Sequence, residues 1–186
     1  MTVVLVVVAI AVLAGVARGG SLAQLGELHL PGWPLVILGL LVQVVGAFAG
    51  DPTLYVVGML ASAVCVTAFV ARNRHLPGMP LIAGGFLLNA IVVTANGAMP
   101  VDPRAAARAG VSIGHLSDGL DAKHEIRDDD TALPLLSDII AVPIPGGHGS
   151  NVLSVGDVVL AAGIGILVLN STIAPAPTTR PGLHQR

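Results

Sequence analysis

Charge in the first hundred residues is confined to the gaps between apolar runs. Up to Pro100, the only Asp, Glu, Lys or Arg residues are Arg18, Glu27, Asp51, Arg72 and Arg74. Apolar stretches lie at 2–17, 33–49, 53–71 and 79–99, and a fifth follows at 155–174. A helix crosses a bilayer with about 20 apolar residues, in a range of roughly 17 to 25. The third and fourth stretches meet that length, the first is at its short limit, and the fifth carries Asp157 near its start. Only 11% of residues are charged and 54% are hydrophobic, against about 25% charged in a soluble domain. A chain of this kind lacks the polar surface to cover itself in water. The predicted fold class is an all-α integral membrane protein. It has about five transmembrane helices and an extracytoplasmic cap, 101–154, with short interfacial helices. One membrane domain takes in 1–174, and the Pro- and Thr-rich tail, 175–186, is expected to be disordered.

Several functions are excluded early. A net charge of −2 and 3% aromatics supply neither the basic surface nor the stacking platform that nucleic acid needs. The expected partners are membrane lipid and other membrane protein subunits. The single cysteine, Cys65, allows no intrachain disulfide and no thiolate metal site. No basic residue precedes the first run, so it reads as a span and not a cleaved signal peptide. Arg18 then serves as a snorkelling anchor at its end.

Orientation follows from the basic residues. Five passes put Arg18, Arg72, Arg74, Arg180 and Arg186 on one side, with Glu27. The other side receives Asp51 and the long segment 101–154, which holds Arg104, Arg108, Lys123, Arg127 and most of the acids. Short basic loops stay cytoplasmic, and long segments translocate with little regard for charge. The reading is a multi-pass protein of the bacterial inner membrane, N-terminus outside and C-terminus in the cytoplasm.

Local signals mark the element ends. Ser21 and Gln24 have capping-box spacing, and Leu22, Leu25 and Leu28 share a face, as in a short helix lying on the interface. Asp51 followed by Pro52 predicts a tight turn and a helix start. Asp102, Pro103 and Gly110 bracket a short alanine-rich helix. Asn96 and Gly97 end the fourth span. Ser154 and Asp157 form a further box, with the carboxylate at the positive end of the helix dipole. Gly84 and Gly85 permit a close helix neighbour.

Two groups of residues are candidates for a site. Asn89 and Asn96 lie seven apart and share a face of the fourth span. With Gln43, Ser62, Thr67 and Thr94 they read as cross-helix glue, because a proton or ion path normally uses an ionisable residue at mid-depth. The second group is the charged stretch KHEIRDDDT, with Lys123, His124, Glu125, Arg127, Asp128, Asp129 and Asp130, next to Asp138 in an apolar run. Asp130 or Thr131 can cap a helix from Ala132, placing Leu133, Leu136, Ile139 and Ile140 on one face until Pro143 and Pro145 stop it. Lys123 and Arg127 are expected to pair with the Asp run. Three consecutive aspartates match neither a calcium loop nor a zincin helix. No cofactor is predicted, and a divalent cation at Asp128–Asp130 stands as a candidate only. Ser117, Ser137 and Ser150 lack a nucleophile elbow, and no catalytic residue is assigned. The candidate polar site is Asn89, Asn96, Lys123, His124, Asp128, Asp129, Asp130, Asp138 and Asp157.

The run GFLLNAIVVTANGAMPV, then KH, DDDT, SDIIAVPIP and SVGD in that order, resembles a bacterial multi-span family known as domain of unknown function 5317. The early RGGSLAQLGELHLPGW and the RNRHLPG loop extend the resemblance over nearly the whole chain. Ala98 stands where that family often has a second glycine after the Asn. The resemblance implies an all-helical bacterial membrane protein and assigns no activity. The leading expectation is a structural or accessory subunit of a larger membrane assembly. The alternative is a small transporter, or an enzyme acting on head groups, with its site at the outer face near Asp128–Asp130.

Overall fold

The computed structural model describes residues 2–112, 114, 123–143 and 151–173. Five apolar helices dominate: α1 (Thr2–Ala17), α3 (Trp33–Phe48), α4 (Pro52–Arg72), α5 (Met79–Asn96) and α7 (Val155–Ile173). Their bounds fall within three residues of the five apolar runs. α4, α5 and α7 are long and apolar enough to cross a membrane, whereas α1 and α3 have 16 residues each. At 1.5 Å per residue, 16 residues reach about 24 Å, against about 30 Å of hydrocarbon.

The caps are those the sequence announces. Asp51 Oδ1 accepts the Thr53 and Leu54 amides at 2.7 and 3.1 Å, turning the chain from α3 into α4. Ser21 and Gln24 exchange capping-box bonds at the start of α2 (Leu22–Gly26). Asp102 Oδ1 accepts the Ala105 amide at 2.8 Å, opening α6 (Pro103–Ala109), which ends on Gly110 in the left-handed region. Gly97, at φ 90°, ends α5.

α3 packs along α4, α5 bridges α4 and α7, and α1 lies on α7. The α5–α7 seam is unusually close. A Cβ at Gly85 would overlap the Gly156 carbonyl oxygen and the Leu160 amide, and one at Gly156 would overlap the Asn89 side chain. Gly84, beside Gly85, faces open space. Two apolar cores fill the bundle. One gathers Tyr55, Met59, Ala63, Ala90, Val92, Val93 and Met99, with Leu136 packed against it. The other, towards the opposite end, gathers Phe69, Val70, Met79 and Leu167, covered by Leu28, Leu30 and Leu76.

The segment between α5 and α7 departs from the all-helical expectation. It contains α6 and four short strands: β1 (Met99–Val101), β2 (His124–Ile126), β3 (Ile140–Val142) and β4 (Asn151–Leu153). β1 pairs with β2 in parallel, and β3 pairs with β4 antiparallel. The helix expected from Ala132 does not form. Residues 132–139 run through turns and bends, with Leu133 at φ 54°. Their backbone groups take distant partners instead. Asn96 holds both the amide and the carbonyl of Ala132, the Asp138 amide donates to Pro100 O, and the Ile139 amide donates to Leu153 O. These partners outbid a local helix that already has Pro134 in its first turn.

Candidate functional site

The closing of α5 on α7 brings a ring of polar groups together at the start of α7. Ser154 Oγ accepts the Asp157 amide at 2.9 Å, and Asp157 Oδ2 accepts the Ser154 amide at 3.1 Å, completing the capping box. Asn89, from α5, joins it across the seam. Its Nδ2 donates to Asp157 Oδ1 at 2.7 Å, and its Oδ1 accepts the Ser154 hydroxyl at 2.8 Å. Ser154 is fully buried. The glycine at 156 makes room for the Asn89 side chain, so sequence spacing and seam geometry converge on one network.

Asp138 is held beside this network by its backbone. Its amide donates to Pro100 O and its carbonyl accepts the Asp102 amide, each at 2.9 Å, so it bridges in parallel to Val101. The next residue, Ile139, is bonded to Leu153, one residue before Ser154. The Asp138 side chain is 6% exposed, and its Oδ1 has no hydrogen-bond partner among the described residues. Burial, and secondly the Asp157 charge, push its carboxyl up to about 8. Ser137, fully buried, likewise has no partner for its Oγ among the described residues.

Asn96 makes the second attachment. Its Nδ2 donates to Val92 O and to Ala132 O, and its Oδ1 accepts the Ala132 amide at 2.8 Å. The Asp128–Thr131 turn therefore stands directly above the C-terminal end of α5. Within that turn, Asp128 Oδ1 accepts the Asp130 amide and the Thr131 hydroxyl, while Thr131 Oγ1 accepts the Asp128 amide. Asp129 and Asp130 are exposed.

The structure thus brings Asn89, Asp157 and Asp138 together, and places Asn96 under the Asp128 turn. Lys123 and His124 lead into β2, where the Lys123 carbonyl accepts the Met99 amide and His124 sits opposite Met99. Arg127 does not pair with the Asp run. Its Nη1 donates to Asp102 Oδ2 at 3.1 Å, tying β2 to the cap of α6. The reason is register: the Arg127 amide is bonded to Val101 O, which aims the residue at Asp102. Glu125 is raised by partial burial and by the Asp128 charge. Among the described residues, no three His, Cys, Asp or Glu side chains are gathered so as to hold a metal ion. Ser117, Ser150 and the tail from Pro175 lie outside the described residues.

Chemically, the Ser154–Asn89–Asp157 ring is a holding device. Ser154 gives its proton to an amide oxygen, which cannot take it as a base, so this is no nucleophile–base pair. Two further polar residues matter that the candidate list lacks. Ser137 has no sequence signal beyond its place in an apolar run. Asn73 ends α4, and its Nδ2 donates to Pro31 O at 2.9 Å and Phe69 O at 2.8 Å. An Asn just after a long apolar run is the cue for a helix end.

A mostly helical bundle with three helices able to cross a membrane, tied by polar bonds to a small strand-containing segment, defines the class. The chain belongs to the family of unknown function DUF5317, whose model matches residues 27–169. That span takes in α3 to α5, the strand-containing segment and most of α7. A Thermotoga maritima protein described as "Uncharacterized protein" is 33% identical over 123 residues, covering 64% of this chain and 68% of its own length. No solved structure matches the chain.

Proposed function

We propose that this chain is a five-pass protein of the bacterial inner membrane that serves as a structural or accessory subunit of a larger assembly, presenting its strand-containing segment at the outer face. The observation that carries this reading is the double attachment of that segment to α5. Asn89 and Asn96, the two asparagines on one face of the helix, spend their amides on the protein's own cap and backbone. Polar groups used in this way position a surface; they do not line a path.

Five passes are supported by packing. α1 lies on α7 and α3 on α4, and both carry outward apolar side chains such as Leu5, Ile10, Leu13, Leu40 and Leu41. A short hydrophobic helix is accommodated by local thinning of the bilayer and by snorkelling flanks, at fractions of a kcal/mol per Å. Arg18 and Trp33 occupy such flanking positions. The excess of Arg in the loops favours an N-terminus outside.

Crosslinking mass spectrometry on native membranes tests the assembly role. Reproducible crosslinks from Lys123 to the same second membrane protein are the expected result. Recovery of the chain alone across preparations counts against it. A second reading, a transporter or head-group enzyme at the outer face, is favoured by the placement of the Asp128 turn directly on Asn96. It requires loss of a transport or turnover signal in Asp128→Ala with the fold intact.

A further inference from the structure

We infer that Asp138 is a proton-binding site of the strand-containing segment, holding one proton beside the carboxylate of Asp157 and releasing it to alkaline medium. The inference is independent of the accessory-subunit reading. It rests on an asymmetry between two neighbouring acids. Asp157 accepts a donor on each oxygen, Asn89 Nδ2 on one and the Ser154 amide on the other. Asp138 is almost wholly buried, yet its Oδ1 meets no donor among the described residues. A carboxylate taken out of water without a donor or a counter-charge takes up a proton instead. Where two acids adjoin, their environments decide which of them keeps the proton, and here the Asn89 side-chain donor and the Ser154 amide donor stand at Asp157.

Among the described residues, no cation donates a hydrogen bond to Asp138 Oδ1, and exposed Lys123 stands at the start of β2. β1 leads into Asp102, whose carboxylate is already paired with Arg127 beyond β2. β2 itself contributes half-buried His124 and Glu125. Arg104 and Arg108 of α6 are exposed, β4 carries no ionisable side chain, and α7 presents Asp157. Burial and the Asp157 charge act in the same direction on Asp138. Backbone bonds to Pro100 and Asp102 on one side, and through Ile139 to Leu153 on the other, keep the side chain from turning out to water. Loss of the proton sets a second negative charge beside Asp157 at a side chain that is almost wholly buried. The expected mechanical consequence is a loosening of the Pro100–Asp138 and Ile139–Leu153 bonds.

Infrared difference spectroscopy on the full chain in lipid nanodiscs tests this. Spectra are compared between about pH 6 and about pH 10, a range that brackets a displaced carboxyl and leaves ordinary ones ionised throughout. A protonated-carboxyl C=O band should vanish in the alkaline sample, be missing in Asp138→Asn, and survive in Glu125→Gln. Its absence from the wild type, or its persistence in Asp138→Asn, overturns the assignment. Asparagine mimics the protonated acid in shape, so that variant keeps the fold. In Asp157→Asn the midpoint should fall by about tenfold or more in proton affinity, and an unchanged midpoint removes Asp157 from the site. Titration in NaCl, choline chloride and MgCl2 at equal ionic strength should give one midpoint. A midpoint that drops with Na+ or Mg2+ overturns the proton in favour of a bound metal cation. The Asp138→Asn and salt comparisons decide the proposal on their own should Asp157→Asn not fold.

Discussion

The two ends of the bundle are closed by different means. At one end, short loops are sealed by backbone bonds and neutral side chains. Asn73 clamps Pro31 to the end of α4, and the Ser21 amide donates to Thr172 O at 3.0 Å, joining α1 and α2 to the end of α7. Its basic residues, Arg72 and Arg74, point outward. At the other end, a long segment is held by side chains that include the acids Asp157 and Asp102, and a third acid, Asp138, is buried with an Oδ1 that meets no donor among the described residues. Closures made by neutral groups do not themselves titrate. An end closed by carboxylates is stable only in some protonation states. The bundle thus has one fixed end and one conditional end.

The most severe way to break the conditional end is to part the α5–α7 seam. A side chain at Gly156 collides with Asn89 and with the Gly85 carbonyl, so Gly156→Val should separate the helices and undo the Asn89–Ser154–Asp157 ring. Overpacking of this kind costs roughly 3 kcal/mol or more. Thermal unfolding in detergent should show a large drop in Tm for Gly156→Val and almost none for Gly84→Val, which faces open space. Equal drops would show that the seam is not what closes this end.

A pH series sharpens the contrast next. The ordinary Asp value is about 4, and burial with the Asp157 charge pushes Asp138 to about 8 in the folded chain. Between those values the folded state binds more protons than the unfolded state, so stability falls as pH rises. The contribution is fully present below about pH 4 and has been lost once the pH passes about 8. Asp138→Asn should flatten that fall, which amounts to up to a few kcal/mol. Glu125 shifts in the same direction and should leave a smaller residual slope. A wild-type profile that rises over this window would refute the sign.

Most of this architecture is legible in the sequence where a side chain acts on its own backbone. Asp51, Asp102, Ser21, Ser154, Gly97 and Gly110 each end or open an element through partners within a few residues, and all six do what their position suggests. The segment 132–139 was not legible, although Leu133, Leu136, Ile139 and Ile140 have helical spacing. Its path is set by Asn96, Pro100 and Leu153, which lie outside any local window. Arg127 is misread for the same reason, because strand register chose Asp102. The candidate site divides along this line. Asn89, Asn96 and Asp157 could be singled out as polar residues in spans, but the burial of Asp138 emerges only when β1 and β4 close around it.

Removing one asparagine at each end compares the closures directly. Asn73→Ala should strip donors from Pro31 O and Phe69 O, and Asn89→Ala should strip one from Asp157. Each loss is worth about 1–3 kcal/mol, since the partners stay buried. Hydrogen exchange should separate them. Asn73→Ala should speed exchange in 27–32 and leave 137–142 unchanged, while Asn89→Ala does the reverse. Spread of either effect to the opposite end would mean that the two closures are coupled through the helices.

The smallest effect belongs to the Arg127–Asp102 pair of the strand-containing segment. Arg127 and Asp102 are 29% and 22% exposed, so water screens much of their attraction, and pairs of this sort are worth about 0–1 kcal/mol. Asp102 also caps α6 through its other oxygen, and that bond does not depend on Arg127. Arg127→Ala should therefore lower Tm by a degree or two at most, with the loss disappearing in high salt. Asp102→Ala should cost more, because the cap goes with the pair. If Arg127→Ala instead matched Asp102→Ala, the pair and not the cap would be what orders α6. The conditional end would then depend on salt as well as on protons.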